Sequence, residues 1–186
     1  NWSSVSAGYN QALAVKTTGT LWAWARQDNG ELGDNGDTEW VYSPKQIGAL
    51  TNWSSVSAGL SSSFAVKTNG TLWSWGRNNN GKLGLGDISN RASPNQIGTL
   101  TTWSSVANGG VYGAAIKTDG TLWSWGYNAY GQLGLGNTTY YSSPKQIGSL
   151  TSWDSVYAGT WNSFAIKTDN TAWCWGYNYT GQLGLN

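Results

Sequence analysis

Short segments of the chain alternate bulky apolar side chains with small or polar ones, which is the pattern of a β-strand. In residues 71–76, Trp73 and Trp75 are two residues apart and therefore point to one face of a strand, whereas Leu72 and Ser74 point to the other. No segment repeats its apolar residues at the spacing of about 3.6 that a long amphipathic helix needs. The chain is therefore predicted to consist of short strands.

These segments belong to a unit of about 50 residues that occurs four times. Every unit opens with W-S-S-V or W-D-S-V, and another tryptophan follows 20 residues later. The opening residues, spaced by 51, 50 and 50 positions, are Trp2, Trp53, Trp103 and Trp153. We predict one repeat domain over 1–186, with units at 1–51, 52–101, 102–151 and 152–186, the last of them incomplete.

Each unit carries the signals of four strands, predicted in the second unit around 53–58, 63–67, 71–75 and 95–97. Asn69-Gly70 and Asp119-Gly120 lie between the second and third strands, and such dipeptides favour a two-residue hairpin turn. The fourth strand begins at or just after a proline, which suits an outer edge strand. A period near 50 residues made of strands and turns is typical of propeller blades. We predict an all-β fold, a β-propeller of four-stranded blades with about four blades in this chain.

Four strings recur along the sequence, namely G-T-L-W-S-W-G, N-x-x-G-Q-L-G-L-G, S-P-x-Q-I-G and W-S-S-V-x-A-G. They resemble the repeats of the regulator of chromosome condensation family, and the resemblance covers essentially the whole chain. It implies a seven-bladed propeller, and the founding member of the family is a chromatin-bound nucleotide exchange factor for a small GTPase. Family repeats commonly carry histidine after the A-G of the first strand, so no exchange-factor residue carries over to the matching Gln11, Ser62, Tyr112 and Asn162.

The number of blades leaves three alternatives open. Three complete units and most of a fourth amount to about half of a seven-bladed ring. The chain is then an ordered stretch of a longer protein, half of a propeller that a partner chain completes, or an unusual small ring. We expect the first, because the sequence starts and stops within the repeat without a capping unit. The expected neighbours are therefore further blades of the same longer chain, or a homo-oligomer, that complete a seven-bladed ring or a larger assembly.

Composition removes most catalytic chemistry. The chain has no histidine and a single cysteine, Cys174, which excludes internal disulfides, Cys/His zinc sites and imidazole catalysis. An acidic loop between Asp34 and Glu39 offers oxygen ligands for a hard cation, but it does not match the EF-hand order and is better interpreted as a solvated loop. We predict no enzymatic activity, no metal and no cofactor. A net charge of +1 argues against a nucleic-acid partner, and no apolar run approaches the length of a membrane span.

Comparison of the four copies separates framework positions from variable ones. The T-x-[GN]-T hairpins and the I-G-x-L-T-x-W connections barely change, whereas the loops after the first and third strands differ in every unit. Strand direction alternates in a meander, so these two loops emerge on one face of the propeller, the variable-loop face, and the constant turns emerge on the other, the hairpin face. Variable loops on a rigid scaffold favour binding. The candidate binding residues are Tyr9, Asn10, Gln11, Trp40, Tyr112, Tyr127, Tyr130, Tyr140, Tyr141, Trp161 and Asn162.

Two classes of function fit this sequence. The first is a non-enzymatic binding or structural module that presents aromatic and polar loops to a protein or a glycan. Scarce charge and near-identical repeats suggest an extracellular or virion-surface location for it, in a phage fibre or a cell-surface adhesin. The alternative is an intracellular regulatory propeller that acts on a small GTPase or on chromatin. A salt-dependent DNA-binding assay distinguishes the two, because duplex binding needs clustered Lys and Arg.

Overall fold

The computed structural model describes residues 1–36 and 39–185. The described residues contain a short 3-10 helix at Asn79–Gly81 and fifteen β-strands. The strands are β1 Trp2–Ala7, β2 Gln11–Lys16, β3 Leu21–Arg26, β4 Trp40–Gln46, β5 Trp53–Ala58, β6 Ser62–Lys67, β7 Leu72–Gly76, β8 Arg91–Gln96, β9 Trp103–Asn108, β10 Tyr112–Lys117, β11 Leu122–Gly126, β12 Tyr141–Gln146, β13 Trp153–Ala158, β14 Asn162–Lys167 and β15 Ala172–Gly176. No helix among these residues has the length and apolar character that crossing a membrane requires.

The strands form four antiparallel sheets that follow the sequence order, one sheet for each unit. Three sheets have four strands, and the described part of the last sheet has three, β13 to β15. The first strands of successive blades, β1, β5, β9 and β13, lie beside one another and are therefore innermost, whereas β4, β8 and β12 are outermost. The predicted all-β architecture of blade-like repeats is confirmed.

The outer strands begin earlier than predicted. In the second blade, β8 starts at Arg91, three residues before Pro94. The register pairs Gly76 with Arg91 and Ser74 with Asn95, and it shifts between these pairs. Proline is tolerated inside this strand because an outermost strand has one edge without a partner, so its missing N–H breaks no ladder bond.

Each blade has two different faces. An aromatic face carries the tryptophans, and an aliphatic face carries leucine, valine or phenylalanine. Leu13 and Leu21 of the first blade pack in one buried cluster with Trp53 and Trp75 of the second. Phe64 of the second blade likewise packs in a cluster with tryptophans of the third. The sequence predicted such a two-sided strand, and the structure shows that the aliphatic face of each blade covers the aromatic face of the next.

A glycine and an indole N–H hold each pair of blades in register. Gly33 lies at φ +81°, and a Cβ there would come within 2.8 Å of the Trp75 ring nitrogen. The Trp75 indole donates a hydrogen bond of 2.8 Å to the Glu31 carbonyl of the preceding blade. Trp125 and Trp175 make the same bond to the preceding blade, at 3.0 and 2.9 Å. Any side chain at Gly33 would clash with this ring, which explains why the L-G pair is constant among the units.

A lysine packs on two perpendicular tryptophans at the hairpin face. The Lys67 ammonium nitrogen lies 3.7 Å from the Trp73 ring centroid and 4.5 Å from that of Trp53. The two rings are 5.9 Å apart at 75°, and the Trp73 indole donates to the Thr71 hydroxyl at 2.8 Å. The same cation–π arrangement recurs in the other three units, which accounts for the constant K-T-x-[GN]-T-x-W string.

The two ends of the array leave one face of each kind uncovered. Val5 on the aromatic face of the first blade is 69% exposed. Phe164 on the aliphatic face of the last blade is 37% exposed, whereas its counterpart Phe64 is fully buried between blades. Tyr157 lies opposite Phe164 on the same face. The two end faces are therefore the complementary halves of an interface that the chain already makes three times.

We expect the isolated chain of residues 1–186 to self-associate through these end faces, because large exposed apolar surfaces favour association with another surface that removes them from water. Light scattering is expected to show species above 20.0 kDa. Val5→Glu and Phe164→Glu each disable one half of the junction, so each variant alone should be monomeric. An equimolar mixture should form a dimer, because one intact face of each kind remains. A stable wild-type monomer would contradict this prediction.

A second prediction separates framework tryptophans from loop tryptophans. Trp125→Ala should lower the free energy of unfolding by about 3–5 kcal/mol, because Trp125 is fully buried between blades and its removal leaves a cavity. Trp161→Ala should cost far less, since this ring is partly exposed in a loop. Urea unfolding of both variants measures the difference, and equal losses would refute the division.

Candidate binding surface

The loops after the first and third strands meet on one side of the array, as strand alternation predicts. The Tyr127 N–H donates to the Val111 carbonyl at 3.1 Å, and the Tyr177 N–H donates to the Trp161 carbonyl at 2.9 Å. Each of these bonds joins a loop after a third strand to a loop after a first strand in the same blade. The variable loops therefore form one continuous surface.

Six aromatic side chains form a connected group on this surface, in the third and fourth blades. Trp161 lies 5.5 Å from both Tyr127 and Tyr130, at interplanar angles of 65° and 85°. Tyr140 contacts Tyr127 at 4.6 Å, and Tyr177 contacts Tyr130 at 4.8 Å. Most of these rings are partly exposed to solvent. We call this group the aromatic cluster, and its members are Tyr127, Tyr130, Tyr140, Trp161, Tyr177 and Tyr179.

A buried asparagine shapes the long loop that carries half of the cluster. The Asn128 side chain is fully buried and donates to the Asn137 and Thr139 carbonyls at 2.9 and 3.0 Å. Its oxygen accepts a hydrogen bond of 2.9 Å from the Leu133 N–H. The loop therefore wraps around Asn128, which holds Tyr130 and Tyr140 on its outside. Asn78 does the same in the second blade.

The structure brings together four of the residues that the sequence predicted, namely Tyr127, Tyr130, Tyr140 and Trp161. Sequence reasoning missed Tyr177 and Tyr179. Tyr177 follows Gly176 as Tyr127 follows Gly126, so its position in the repeat was a usable signal. The other predicted binding residues lie outside the cluster.

Two predicted binding residues are buried between blades, which corrects their assignment to a contact surface. The Tyr112 hydroxyl lies 2.6 Å from the Asn162 carbonyl and 2.7 Å from the Ser163 hydroxyl of the next blade. Burial raises the pKa of Tyr112, so it remains a neutral phenol. Gln11 donates to the Ser62 carbonyl of the next blade at 3.0 Å. Both residues start a second strand, and there the side chain points into the blade interface.

Three further predicted residues lie at the edges of this region or elsewhere on the face. Tyr141 and Asn162 are partly buried at the starts of β12 and β14. Trp40 is in the first blade, where it stacks on Tyr42 at 6.3 Å and the Arg26 guanidinium lies 5.4 Å from its ring.

Tyr9 and Asn10 lie near the inner ends of the blades. Tyr9 is strongly exposed and lines an open cleft of about 370 Å³. The turns that follow the four innermost strands form this cleft, including Gly59, Gly110 and Thr160. Among the described residues, none that lines the cleft is charged, so we assign it no chemistry.

The repeats match a known family. The pattern described as Regulator of chromosome condensation (RCC1) repeat matches residues 69–116 and 119–166, and a second pattern of the same description matches 53–82, 103–132 and 153–182. The chain belongs to the RCC1 repeat family. The Danio rerio protein named Protein RCC2 homolog is 40% identical over 78 residues, which cover 41% of this chain and 16% of that protein.

Solved structures of RCC1 propellers share the fold. Yeast RCC1 (Prp20) bound to Kap60 superposes with a TM-score of 0.88 at 22% identity, over 100% of this chain and 46% of that one. Prp20p from Saccharomyces cerevisiae, in a study that also concerns its binding to Gsp1p and histones, gives a TM-score of 0.80 at 24% identity, over 98% and 46%. This chain therefore spans about half the length of these RCC1 structures.

The predicted extracellular or virion-surface location is wrong. The relatives are RCC1 and RCC2 proteins, and the partners named for yeast RCC1 include histones, which are packaged with DNA inside the cell. The prediction rested on scarce charge and repeat regularity, which describe the composition of the chain and not its compartment.

In the acidic loop of this RCC1 repeat protein, the Asp34 carboxylate is bound by other residues of its own blade. Asp34 forms an ion pair with Lys45 at 2.7 Å. Burial opposes ionisation there, but hydrogen bonds from Lys45, Gly36 and Gln27 hold the pKa of Asp34 below its ordinary value. Asp37 and Thr38, which belong to the loop considered for cation binding, lie outside the described residues. Among the residues that the structure describes, no group of three acidic, His or Cys side chains could hold a metal ion.

The charges of the neighbouring loops are paired in the same way. Arg26 bonds to Asp28 at 3.0 Å, and Arg91 forms an ion pair with Asp87. The buried Glu31 carboxylate accepts hydrogen bonds from two backbone N–H groups of its own loop. Among the described residues of the variable-loop face, Arg77 is exposed but most other charges are paired or buried, so the distinctive chemistry of this face is aromatic.

Lys82 is buried at the boundary of the second and third blades. Its ammonium group donates to the Gly110 carbonyl at 2.9 Å. Burial lowers its pKa from 10.5 to about 8, the positive charge of Arg77 adds to this shift, and Glu31 opposes it. Units three and four carry Gln132 and Gln182 at this position, so the fold does not require a lysine here.

Lys82 predicts a pH dependence of stability. Between pH 8 and 10.5 the unfolded chain binds more protons than the folded one, so the free energy of unfolding rises with pH in this window. We expect a gain of about 3 kcal/mol relative to Lys82→Gln, which lacks the titrating group. Urea unfolding across this window measures it. Parallel curves for the two proteins would contradict the burial of a titrating Lys82.

Proposed function

We propose that this chain is a non-enzymatic, protein-binding part of an intracellular regulatory propeller, and that its variable-loop face makes the contact. Its membership of the RCC1 repeat family supports a regulatory role. Proteins are the partners named for yeast RCC1, namely Kap60, Gsp1p and histones. These relatives favour a protein partner over the glycan alternative.

The aromatic cluster carries this proposal. Six rings from three loops are connected on one surface, and the shortest ring-to-ring distances are 4.6 and 4.8 Å. The rings contact one another across the boundary of the third and fourth blades, and most of them remain partly exposed, whereas the framework rings of Trp75 and Trp125 are fully buried. Tyrosine and tryptophan are enriched among the residues that dominate protein interfaces, because they bury much area at a low entropic cost. An exposed group of such rings is typical of an interaction site.

Charge and chemistry support a protein partner and a non-enzymatic role. Asp34 and Glu39 of the acidic loop are paired with Lys45 and Arg26, and the net charge of the chain is only +1, which does not favour a DNA-binding surface with its clustered basic groups. The chain has no histidine, and its buried Lys82 bonds to a backbone carbonyl. The variable-loop face therefore supports recognition better than chemistry.

The proposal is tested with Gsp1p and with core histones as candidate partners, using isothermal titration calorimetry. We expect the chain to bind one of them, and the double variant Tyr130→Ala/Trp161→Ala to weaken binding by about 2 kcal/mol or more with a nearly unchanged melting temperature. Leu50→Ala/Leu100→Ala is the matched control, since both leucines are half exposed on the hairpin face.

The control should bind as the wild type does. Binding that survives the Tyr130/Trp161 change would refute the role of the aromatic cluster. Binding that is lost with the leucine change would place the interface on the hairpin face and refute the proposal. If the chain binds neither Gsp1p nor histones, the proposal that it shares the partners of yeast RCC1 is refuted.

A further inference from the structure

The framework of this protein repeatedly places a cation against aromatic rings that stand nearly perpendicular to each other. In the four units, a lysine ammonium nitrogen lies 3.7, 3.7, 3.6 and 4.0 Å from the centroid of a tryptophan ring. Each of these rings meets a second tryptophan edge to face, at centroid distances of 5.9 to 6.3 Å. Two negative ring faces thus surround one positive charge.

An exposed example of the same interaction occurs on the variable-loop face. There the cation is an arginine, with the Arg26 guanidinium carbon 5.4 Å from the centroid of the Trp40 ring. Trp40 is close to half exposed, so this pair forms in contact with water. Trp40 is therefore already covered by a cation of its own blade.

The aromatic cluster has matching ring geometry without a cation. Tyr130 meets Trp161 at 5.5 Å and 85°, close to the 5.9 Å and 75° of Trp53 and Trp73. In the described part of the chain, no lysine or arginine head group lies over a ring of the cluster. The nearby Lys145 lies 5.5 Å from the ring of Tyr141, which is not a member. We propose that the aromatic cluster binds arginine side chains of a protein partner through cation–π contacts.

Arginine fits this surface better than lysine for two reasons. Its guanidinium is more weakly hydrated than an ammonium and stacks on aromatic faces, so it loses less when it leaves water. The cluster itself contains no carboxylate, so a lysine would gain no ion pair in return. The acidic groups Asp28 and Asp34 of the first blade are already paired with Arg26 and Lys45. The preference for arginine over lysine therefore comes from stacking on the aromatic rings.

This inference rests on the proposed function and names the chemistry of the partner segment. The test uses the whole chain, labelled with ¹⁵N, and a synthetic Gly-Arg-Gly-Gly-Arg-Gly peptide with blocked ends. Binding is followed by the indole N–H resonance of Trp161, which is assigned by its loss in Trp161→Phe. We expect this resonance to shift with added peptide while the indole resonances of the framework tryptophans stay in place.

The decisive comparison replaces both arginines of the peptide by citrulline, which keeps the shape and removes the charge. Two exposed cation–π contacts predict that this replacement weakens binding about five- to thirtyfold. This peptide comparison uses the unchanged protein, so a folding defect of a variant cannot explain its result. Equal binding of the two peptides, or stronger binding of an uncharged proline-rich peptide or of an oligosaccharide, would overturn the proposal.

Two protein variants locate the site. Trp161→Ala should weaken arginine-peptide binding, whereas Trp40→Ala should leave it unchanged, because Arg26 already covers that ring. The reverse result would overturn the proposal. If the peptide fails while Gsp1p or histone binding still depends on Tyr130 and Trp161, the arginine chemistry is wrong and the proposed function stands. If that protein binding is itself independent of the cluster, the proposed function fails.

Discussion

The packing of a tryptophan ring against a glycine of the preceding blade is the contact on which the rest of this structure depends. Gly33 and Trp75 form one example, and the indole N–H of Trp75 bonds across the boundary to the Glu31 carbonyl. The contact fixes the distance and the register between blades at once, because the ring fills the space that a Cβ would need. Every repeat must therefore keep both partners, whereas the loops beyond them are released from packing.

Because the variable loops do not take part in this packing, the residues of the variable-loop face serve different purposes. Several of its charged residues are bound to one another, as in the Asp34–Lys45 pair, and so they shape loops. Its buried polar residues join blades, as Tyr112 does through the Ser163 hydroxyl. The rings of the aromatic cluster contact one another across the boundary of the third and fourth blades, but most of them keep an exposed surface. They are the part of this face that is left for a partner.

Cations pack on tryptophan rings both inside the framework and at the surface. Lys67 packs on Trp73 and Trp53 as a permanent part of its blade. Arg26 covers Trp40 in an exposed loop, where the gain is smaller because water competes for the charge. Trp161 offers the same chemistry without an internal cation. The cation–π contact that stabilises the framework thus serves recognition when its cation comes from another molecule.

The sequence by itself determined the repeat, the hairpins and the side on which the variable loops emerge, because these depend on neighbours within one unit. It did not distinguish Tyr140, which is exposed, from Tyr112, which is buried, although both lie in variable segments. It also did not reveal that Lys82 is buried, since the Gly110 carbonyl that binds it is 28 residues away in the next blade. Composition pointed to the wrong cellular location, because scarce charge and regular repeats carry no physical information about a compartment. The tertiary structure decided which variable residues are free, since burial depends on contacts across blade boundaries that no single repeat contains.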